Sequence, residues 1–277
     1  MSAIPGLKKK LKSVRATGKL SKAMKTVSAA KFSRLSALWR NYSLYTDQYG
    51  FLYRDENNDA AADANAKADT IIVMGSNRGF CGGFNNEIVS FFAENAKDGS
   101  YDNLVVCGEE LIGMFSDTQI KTEREFSFGD VPTYAECETL FEYIASLAGE
   151  QENYRVRLIY PSYKNTMTQT PVSELLTLNR SAVVSDSAGV LWVPDKESVL
   201  ADMLDKGFRA LVFRAILETA LGAQAATLMT MRSAYDTATE YSENLESEIH
   251  RLRQSEVTAD VIETSSERFS KGEETNA

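Results

Sequence analysis

The stretch "MGSNRGFCGGFN", residues 74–85, carries glycines at 75, 79, 82 and 83 between an apolar run and a helical-looking one. Such a loop cradles a phosphate when its glycines aim several backbone N–H groups at one anion. A dinucleotide fingerprint needs G-x-G-x-x-G, and a P-loop needs G-x-x-x-x-G-K-[ST]. Neither spacing is present, and no Lys-Ser or Lys-Thr follows. His250 is the only histidine, so a zinc or iron site built on histidines is excluded, and a Ser-His-Asp triad could use no other residue. Cys81, Cys107 and Cys137 are odd in number and unlike metal ligands in spacing. They read as reduced thiols in an intracellular protein. No cofactor and no metal are expected.

The charge distribution offers a different chemistry. Of 277 residues, the first 40 hold eight lysines, three arginines and no acid, a balance of +11. The remainder holds 19 bases and 39 acids, which brings the whole chain to −9. Such a basic arm fits an acidic partner or nucleic acid. An organelle transit peptide or a solvated helix face has the same composition. No run approaches the roughly 18 apolar residues of a membrane span, so a direct span is not expected.

The arm belongs to a long helix. No glycine or proline interrupts the 31 residues between Gly18 and Gly50. Leu35, Leu38, Tyr42, Tyr45, Tyr49 and Leu52 form a heptad seam there, which Met24 and Val27 extend toward the small residues Ser28, Ala29 and Ala30. A cleaved transit peptide has no reason to share the register of a heptad beyond it. Near the other end, the 49 residues from Ala223 to Lys271 also lack glycine and proline. Their seam runs through Leu217, Leu221, Gln224, Leu228, Met231, Tyr235, Ala238, Ser242, Leu245, Ile249, Leu252 and Glu256 in steps of four and three. A helix of that length spans about 74 Å, against about 50 Å for the diameter of a compact chain of this size. Two long helices with one narrow seam each are expected to pair as an antiparallel coiled coil.

Between them, strands at 69–74, 103–108, within 121–128, at 155–163 and at 170–178 alternate with helices at 85–96, 109–116 and 134–149. That pattern predicts a mostly parallel sheet with helices on its faces. The expected fold class is α/β plus coiled coil: long N- and C-terminal helices around a central Rossmann-like α/β domain. The expected bounds are 1–54 for the first helix, 69–195 for the α/β domain, 203–265 for the last helix and 266–277 for a polar tail. Residues 55–69 read as a linker.

Several segments together resemble one family. "SVRATGKLSKAMKTVSAAKFSR" (13–34) resembles the first-helix motif of the gamma subunit of F-type ATP synthases, with Lys22, Ala23, Met24, Val27 and Lys31 in place. "SNRGFCGGFN" (76–85) is similar to that family's Arg-Gly-Leu-Cys-Gly-Gly-x-Asn signature, with Phe80 for leucine. "TMTQTPVSELLTL" and "LWVPDKESVLADML" are similar to its last strand and the approach to its final helix. "RQSEVTADV" (253–261) resembles its Arg-Gln-x-x-Ile-Thr-x-Glu segment. The chain departs from the family at Ala223 and Thr227, where a glutamate and an arginine are usual. It departs again at His250, usually asparagine, and in the polar ending "ETSSERFSKGEETNA".

The resemblance implies a rotor, the central stalk that turns inside an alpha–beta hexamer and couples ion flow through a membrane rotor ring to ATP synthesis or hydrolysis. Catalytic nucleotides then bind on the hexamer and not on this chain. The implied partners are the hexamer, the epsilon subunit and the ring, at the cytoplasmic face of a bacterial plasma membrane, with no transit peptide. Lys22, Met24, Lys25 and Lys31 are implied to face the hexamer, the lysines meeting an acidic lever segment. Arg78 and the turn Cys81–Gly82–Gly83 are implied to face the lower part of a beta subunit. Arg253, Gln254 and Thr258 are implied to engage catalytic-subunit loops. Two other classes fit parts of the sequence: an α/β enzyme with a phosphate ligand on the glycine loop, and a coiled-coil protein binding nucleic acid through its basic arm.

Overall fold

The computed structural model describes residues 4–47, 49, 68–96, 101–118, 120–149, 151, 153–179 and 193–273. Helix α1 spans Ile4–Thr46 and α5 Lys196–Glu273. Between them lie β1 (Ala68–Met74), α2 (Phe84–Asn95), β2 (Tyr101–Cys107), α3 (Glu109–Ser116), β3 (Arg124–Phe126), α4 (Glu138–Ala148), β4 (Asn153–Asn165) and β5 (Thr168–Asn179). The chain divides into two compact units, Met1–Lys25 with Met231–Ala277, and Thr26–Thr230.

Within the larger unit the five strands take the order β3-β2-β1-β4-β5. β1 pairs in parallel with β2 and β4, β2 with β3 likewise, and β4–β5 is an antiparallel hairpin. Side chains alternate across a strand, and the apolar runs "TIIVM" and "LVVC" therefore feed both faces. Ile72, Met74, Val105 and Leu158 join α4, the first part of α5 and Leu35 of α1 in one apolar cluster. Ile71, Val73, Leu104 and Val106 join Ile88 and Phe92 of α2 and Leu111 and Phe115 of α3 in the other. A buried charge ties α5 to the hairpin. Glu218 is 6% exposed and accepts hydrogen bonds from the Ser162 hydroxyl (3.0 Å) and the Tyr163 N–H (2.7 Å). Nearby, Arg214 and the Tyr160 hydroxyl both donate to Glu174.

Within the smaller unit α1 and α5 run antiparallel. A Cβ built on Gly18 would lie 3.4 Å from that of Ala238, Arg15 pairs with Glu246, and Lys22 and Lys25 lie over the Tyr235 ring. Pairing of the two seams would bring the small-residue patch Ser28–Ala30 to Tyr235 and Ala238; the α1 residues found there are Gly18, Lys22 and Lys25. The α5 seam has the expected register. Met231, Leu245 and Ile249 are buried, Tyr235, Ala238, Ser242 and Leu252 half-buried, and Glu256 exposed.

The α1 seam does not. Positions 4, 7, 11, 14, 18, 21, 25, 28, 32, 35, 39, 42 and 46 are buried or half-buried, while Val27, Leu38 and Tyr45 are 53%, 42% and 43% exposed. Following only large apolar residues misses a seam that runs through Gly18, Ser21 and Ser28, where small side chains let the backbones approach. Of the expected positions, Leu35 and Tyr42 lie on it, Met24 and Tyr49 are half-buried, and Leu52 falls outside the described residues.

The helix ends also differ from expectation. α1 stops at Thr46, ahead of residue 54: the Thr46 hydroxyl and the Asp47 N–H both donate to the Ser43 carbonyl, and an acid there opposes the helix dipole. α5 begins at Lys196, ahead of residue 203, because Asp195 caps it. Its carboxylate accepts from the Ser198 N–H (2.8 Å) and hydroxyl (2.9 Å), and these bonds hold its pKa below the usual carboxylate value. At the far end α5 continues past residue 265 to Glu273. One stretch of α5 is long and apolar enough to cross a bilayer, and 67% of it is buried inside the structure, as in a core helix.

Leu35 is fully buried, so Leu35→Ala should lower the unfolding free energy by about 2–5 kcal/mol. Leu38→Ala, on the outward face, should cost less than about 1 kcal/mol; denaturant titration of the two variants checks the seam register. Burial pushes the Cys107 thiol well above the ordinary range and that of Cys137 up to about 12. The unfolded chain releases those protons near pH ~8.5, so stability is intact below that value and falls as pH rises from there toward 12. Urea midpoints should drop over that window, and less so for Cys137→Ala.

Candidate partner-docking surfaces

The glycine loop joins β1 to α2 in the larger unit, and its polar groups point inward. The Gly75 N–H donates to the Cys107 carbonyl (2.8 Å) and the Ser76 N–H to the Asn85 side-chain oxygen (3.0 Å). The Asn85 amide donates to the Ser76 hydroxyl (2.8 Å), which donates to the Arg78 carbonyl (2.9 Å). Asn77 accepts from the Glu109 N–H and donates to the Phe128 carbonyl. The first two amides of the loop, those of Gly75 and Ser76, are thus committed to internal partners.

Close packing of two turns dictates the glycines. A Cβ on Gly75 would meet Leu111 at 2.8 Å, and one on Gly108 (φ +110°) would meet the Gly75 carbonyl oxygen at 2.5 Å. Gly82 adopts φ +63°, which a side chain disfavours. Gly83 has an ordinary φ of −81° at the start of α2. Cys81 is 5% exposed and turned into the loop, so a contact through its thiol, expected for a docking residue, is not presented. Its neighbour Phe80 is the loop's outward group: 64% exposed at φ 65°, a strained conformation for a bulky residue.

The sequence reading missed Asp130, on the loop after β3. Its carboxylate binds Lys31 of α1 and the Nε of Arg78 (3.0 Å), and its side chain is only 13% exposed. Lys31 is therefore held internally, whereas the Arg78 side chain stays 75% exposed. No local signal in "FGDVP" foretells an ion pair reaching 99 residues back to Lys31. Arg78 and Asp130 also line a cavity of about 40 Å³ together with Ala223, Gln224 and Thr227. Ala223 and Thr227 are the two positions on α5 at which the sequence departs from the glutamate and arginine that the resemblance implies.

In the smaller unit Lys22 is exposed and Met24 and Lys25 are half-buried. Lys22 and Lys25 share the Tyr235 ring, and Lys10 lies over Tyr241, whose hydroxyl raises its pKa by hydrogen bonding. Farther along α5, Arg253, Gln254 and Thr258 are all exposed. The Thr258 hydroxyl donates to the Gln254 carbonyl (2.8 Å). Val257, Val261 and Ile262 beside them are 61%, 58% and 64% exposed. The chosen residues therefore fall into separate groups: Lys22 with Lys25, Lys31 with Arg78, and the trio on distal α5.

Residues 4–266 match the model of the ATP synthase family. The ATP synthase gamma chain of Pelagibacter ubique is 27% identical over 286 residues, covering 95% of this chain and 97% of its own. That of Anaeromyxobacter dehalogenans is 30% identical over 287 residues with the same coverage. A chain from the rotor of the Euglena gracilis mitochondrial ATP synthase has the same fold, with a TM-score of 0.70 at 15% identity, covering 92% of this chain and 99% of that one. A central-stalk chain of the Tetrahymena thermophila mitochondrial ATP synthase aligns with a TM-score of 0.60 at 17% identity, covering 78% and 99%. With its two long helices, its five-stranded sheet and a family match over nearly its full length, this chain belongs to the ATP synthase gamma-chain family.

Proposed function

We propose that this chain is the central-stalk rotor of an F-type ATP synthase. It turns within an alpha–beta hexamer and couples ion flow through a membrane rotor ring to ATP synthesis or hydrolysis. It carries no catalytic site of its own. The epsilon subunit is a further partner, and the complex sits peripherally at the cytoplasmic face of a bacterial plasma membrane.

The observation that carries this reading is the pattern of exposure on the two long helices. Their seams are closed, yet Leu20 (60%) and Val27 (53%) remain exposed in the lysine-rich α1, and Val257, Val261 and Ile262 of α5 are exposed as well. Apolar groups left outside a finished seam fit an enclosing protein better than water. An inward-bonded glycine loop also speaks against a phosphate-binding enzyme.

Coupling then follows from asymmetry. The first 40 residues carry +11 and the remainder a strong negative excess, so each orientation presents different contacts to each surrounding site. Only such differential contact energy shifts a conformational equilibrium. Moving a site from 1:99 to 99:1 takes about 5.5 kcal/mol. One exposed ion pair contributes at most about 1 kcal/mol, so a face of several cations with apolar neighbours is required. Contacts that are individually weak also exchange readily, which keeps rotation from stalling.

Expressed with the hexamer subunits, the chain should copurify as one copy per three beta chains; a lone chain carrying a nucleotide, or binding DNA, would overturn the reading. Arg253→Ala with Gln254→Ala should reduce ATP turnover by the complex several-fold. Both side chains are exposed, so thermal unfolding of the isolated chain should be unchanged. Unaltered turnover would remove these two residues from the docking surface.

A further inference from the structure

Among the described residues, Phe80 is the one non-glycine that holds a left-handed backbone (φ 65°). In that conformation the Cβ crowds the following carbonyl oxygen, so a residue with a side chain adopts it about tenfold less readily than glycine does. The loop already uses glycine freely: Gly79 precedes the position, and Gly82 and Gly83 follow it. Strain of this kind persists where packing offsets it or where a function requires it. Packing does not offset it here, because the residue is 64% exposed and belongs to neither apolar cluster.

The surroundings place the ring in a wider surface. β1 and β4 run in parallel, so the glycine loop after β1 and the turn after β4 leave the sheet at the same end. Both segments meet α5 at one residue: a Cβ on Gly222 would lie 3.1 Å from the Phe84 ring and 3.3 Å from Gln169. The turn carries Met167, 79% exposed. Its backbone is fixed, since the Asn165 side-chain oxygen accepts from the Met167 and Thr168 N–H groups, each at 2.9 Å. The glycine loop is fixed by the Ser76–Asn85 bonds and by Asp130 at Arg78. Two apolar groups therefore project from ordered loops, with polar neighbours around them, as at the centre and rim of a protein interface.

We propose that Phe80 is a docking anchor, its ring entering an apolar recess on a subunit of the enclosing hexamer, with Met167 as a second apolar contact. This deepens the stalk reading above and rests on it. A ring carries no charge to hold a phosphate, and with two side-chain torsions on a fixed loop it loses little entropy when a partner closes over it. The recess supplies the burial that the fold withholds, so the strain of the turn is offset only in the complex.

The test uses the full chain, with parent and variant stalks co-expressed in equal amounts to compete for the same hexamer subunits. Phe80→Gly removes both ring and strain, whereas Phe80→Ala removes the ring and keeps the strain. Each should be incorporated about tenfold less than the parent, the loss expected for a central aromatic contact. Urea unfolding of the isolated chains separates the two: Phe80→Gly should unfold at the parent's midpoint or above it, and Phe80→Ala below Phe80→Gly. Lost incorporation without lost stability is the signature of an anchor. If Phe80→Gly lowers the urea midpoint, the ring packs inside the fold and the inference falls. It falls equally if Phe80→Gly is incorporated like the parent. It also falls if the isolated parent sediments as a dimer that Phe80→Gly dissociates, for the ring then serves a second copy of the chain. If the parent itself joins no hexamer, the stalk reading falls instead.

Discussion

The close approach of α1 and α5 at Gly18 and Ala238 is the constraint on which the smaller unit depends. A Cβ built on Gly18 would lie 3.4 Å from that of Ala238, at the edge of ordinary contact, so these two small residues let the backbones come close. Backbones that near bring neighbouring rows of side chains into reach. Lysine ammonium groups then lie over tyrosine rings on the flank, and Arg15 reaches Glu246. A seam built from small and medium residues buries little area per turn, at roughly 25 cal/mol per Å². The outward faces of both helices are therefore left open, and the exposed valines, leucines and isoleucine described above occupy them.

In the larger unit the same helices serve as core. Leu35 of α1 and Leu204, Phe208, Leu211 and Val212 of α5 share one cluster with the sheet. Apolar packing alone does not fix the rotation of a helix about its axis. Glu218, buried and bonded to Ser162 and Tyr163 of the hairpin, supplies a directional contact, because a buried carboxylate without its partners is costly. The turn after β1 is likewise closed by internal bonds. In many α/β folds that turn receives a ligand; here Cys107, Asn85 and Phe128 occupy its polar groups, and Phe80 and Arg78 are what it shows to the outside.

The cations of α1 illustrate how a charge run resolves in three dimensions. Lys31 and Arg78 converge on one carboxylate of low exposure, an arrangement that ties α1, the glycine loop and the loop after β3 together. Lys22 and Lys25 instead lie over the Tyr235 ring. Composition treats all these residues alike, and only their partners distinguish a structural cation from one presented to another molecule.

Pattern and composition were sufficient for the strand and helix order, the mostly parallel sheet, the antiparallel helices and the α5 register through Leu252. Those features rest on local periodicity, and periodicity is a property of the chain itself. The motifs around Met24, Cys81 and Arg253 were likewise enough to indicate the family. Tertiary structure decided the rest. It moved the α1 seam onto Gly18, Ser21 and Ser28, because small residues are recognised as buried only when a second backbone lies against them. It turned Cys81 inward and made Phe80 the exposed residue, since the adjoining α3 turn fills the space beside Gly75. It paired Lys31 with Asp130 and set Lys25 over Tyr235, contacts between residues far apart in sequence that no local rule encodes. It also carried α5 to Glu273, beyond the residue 265 at which the expected helix ended.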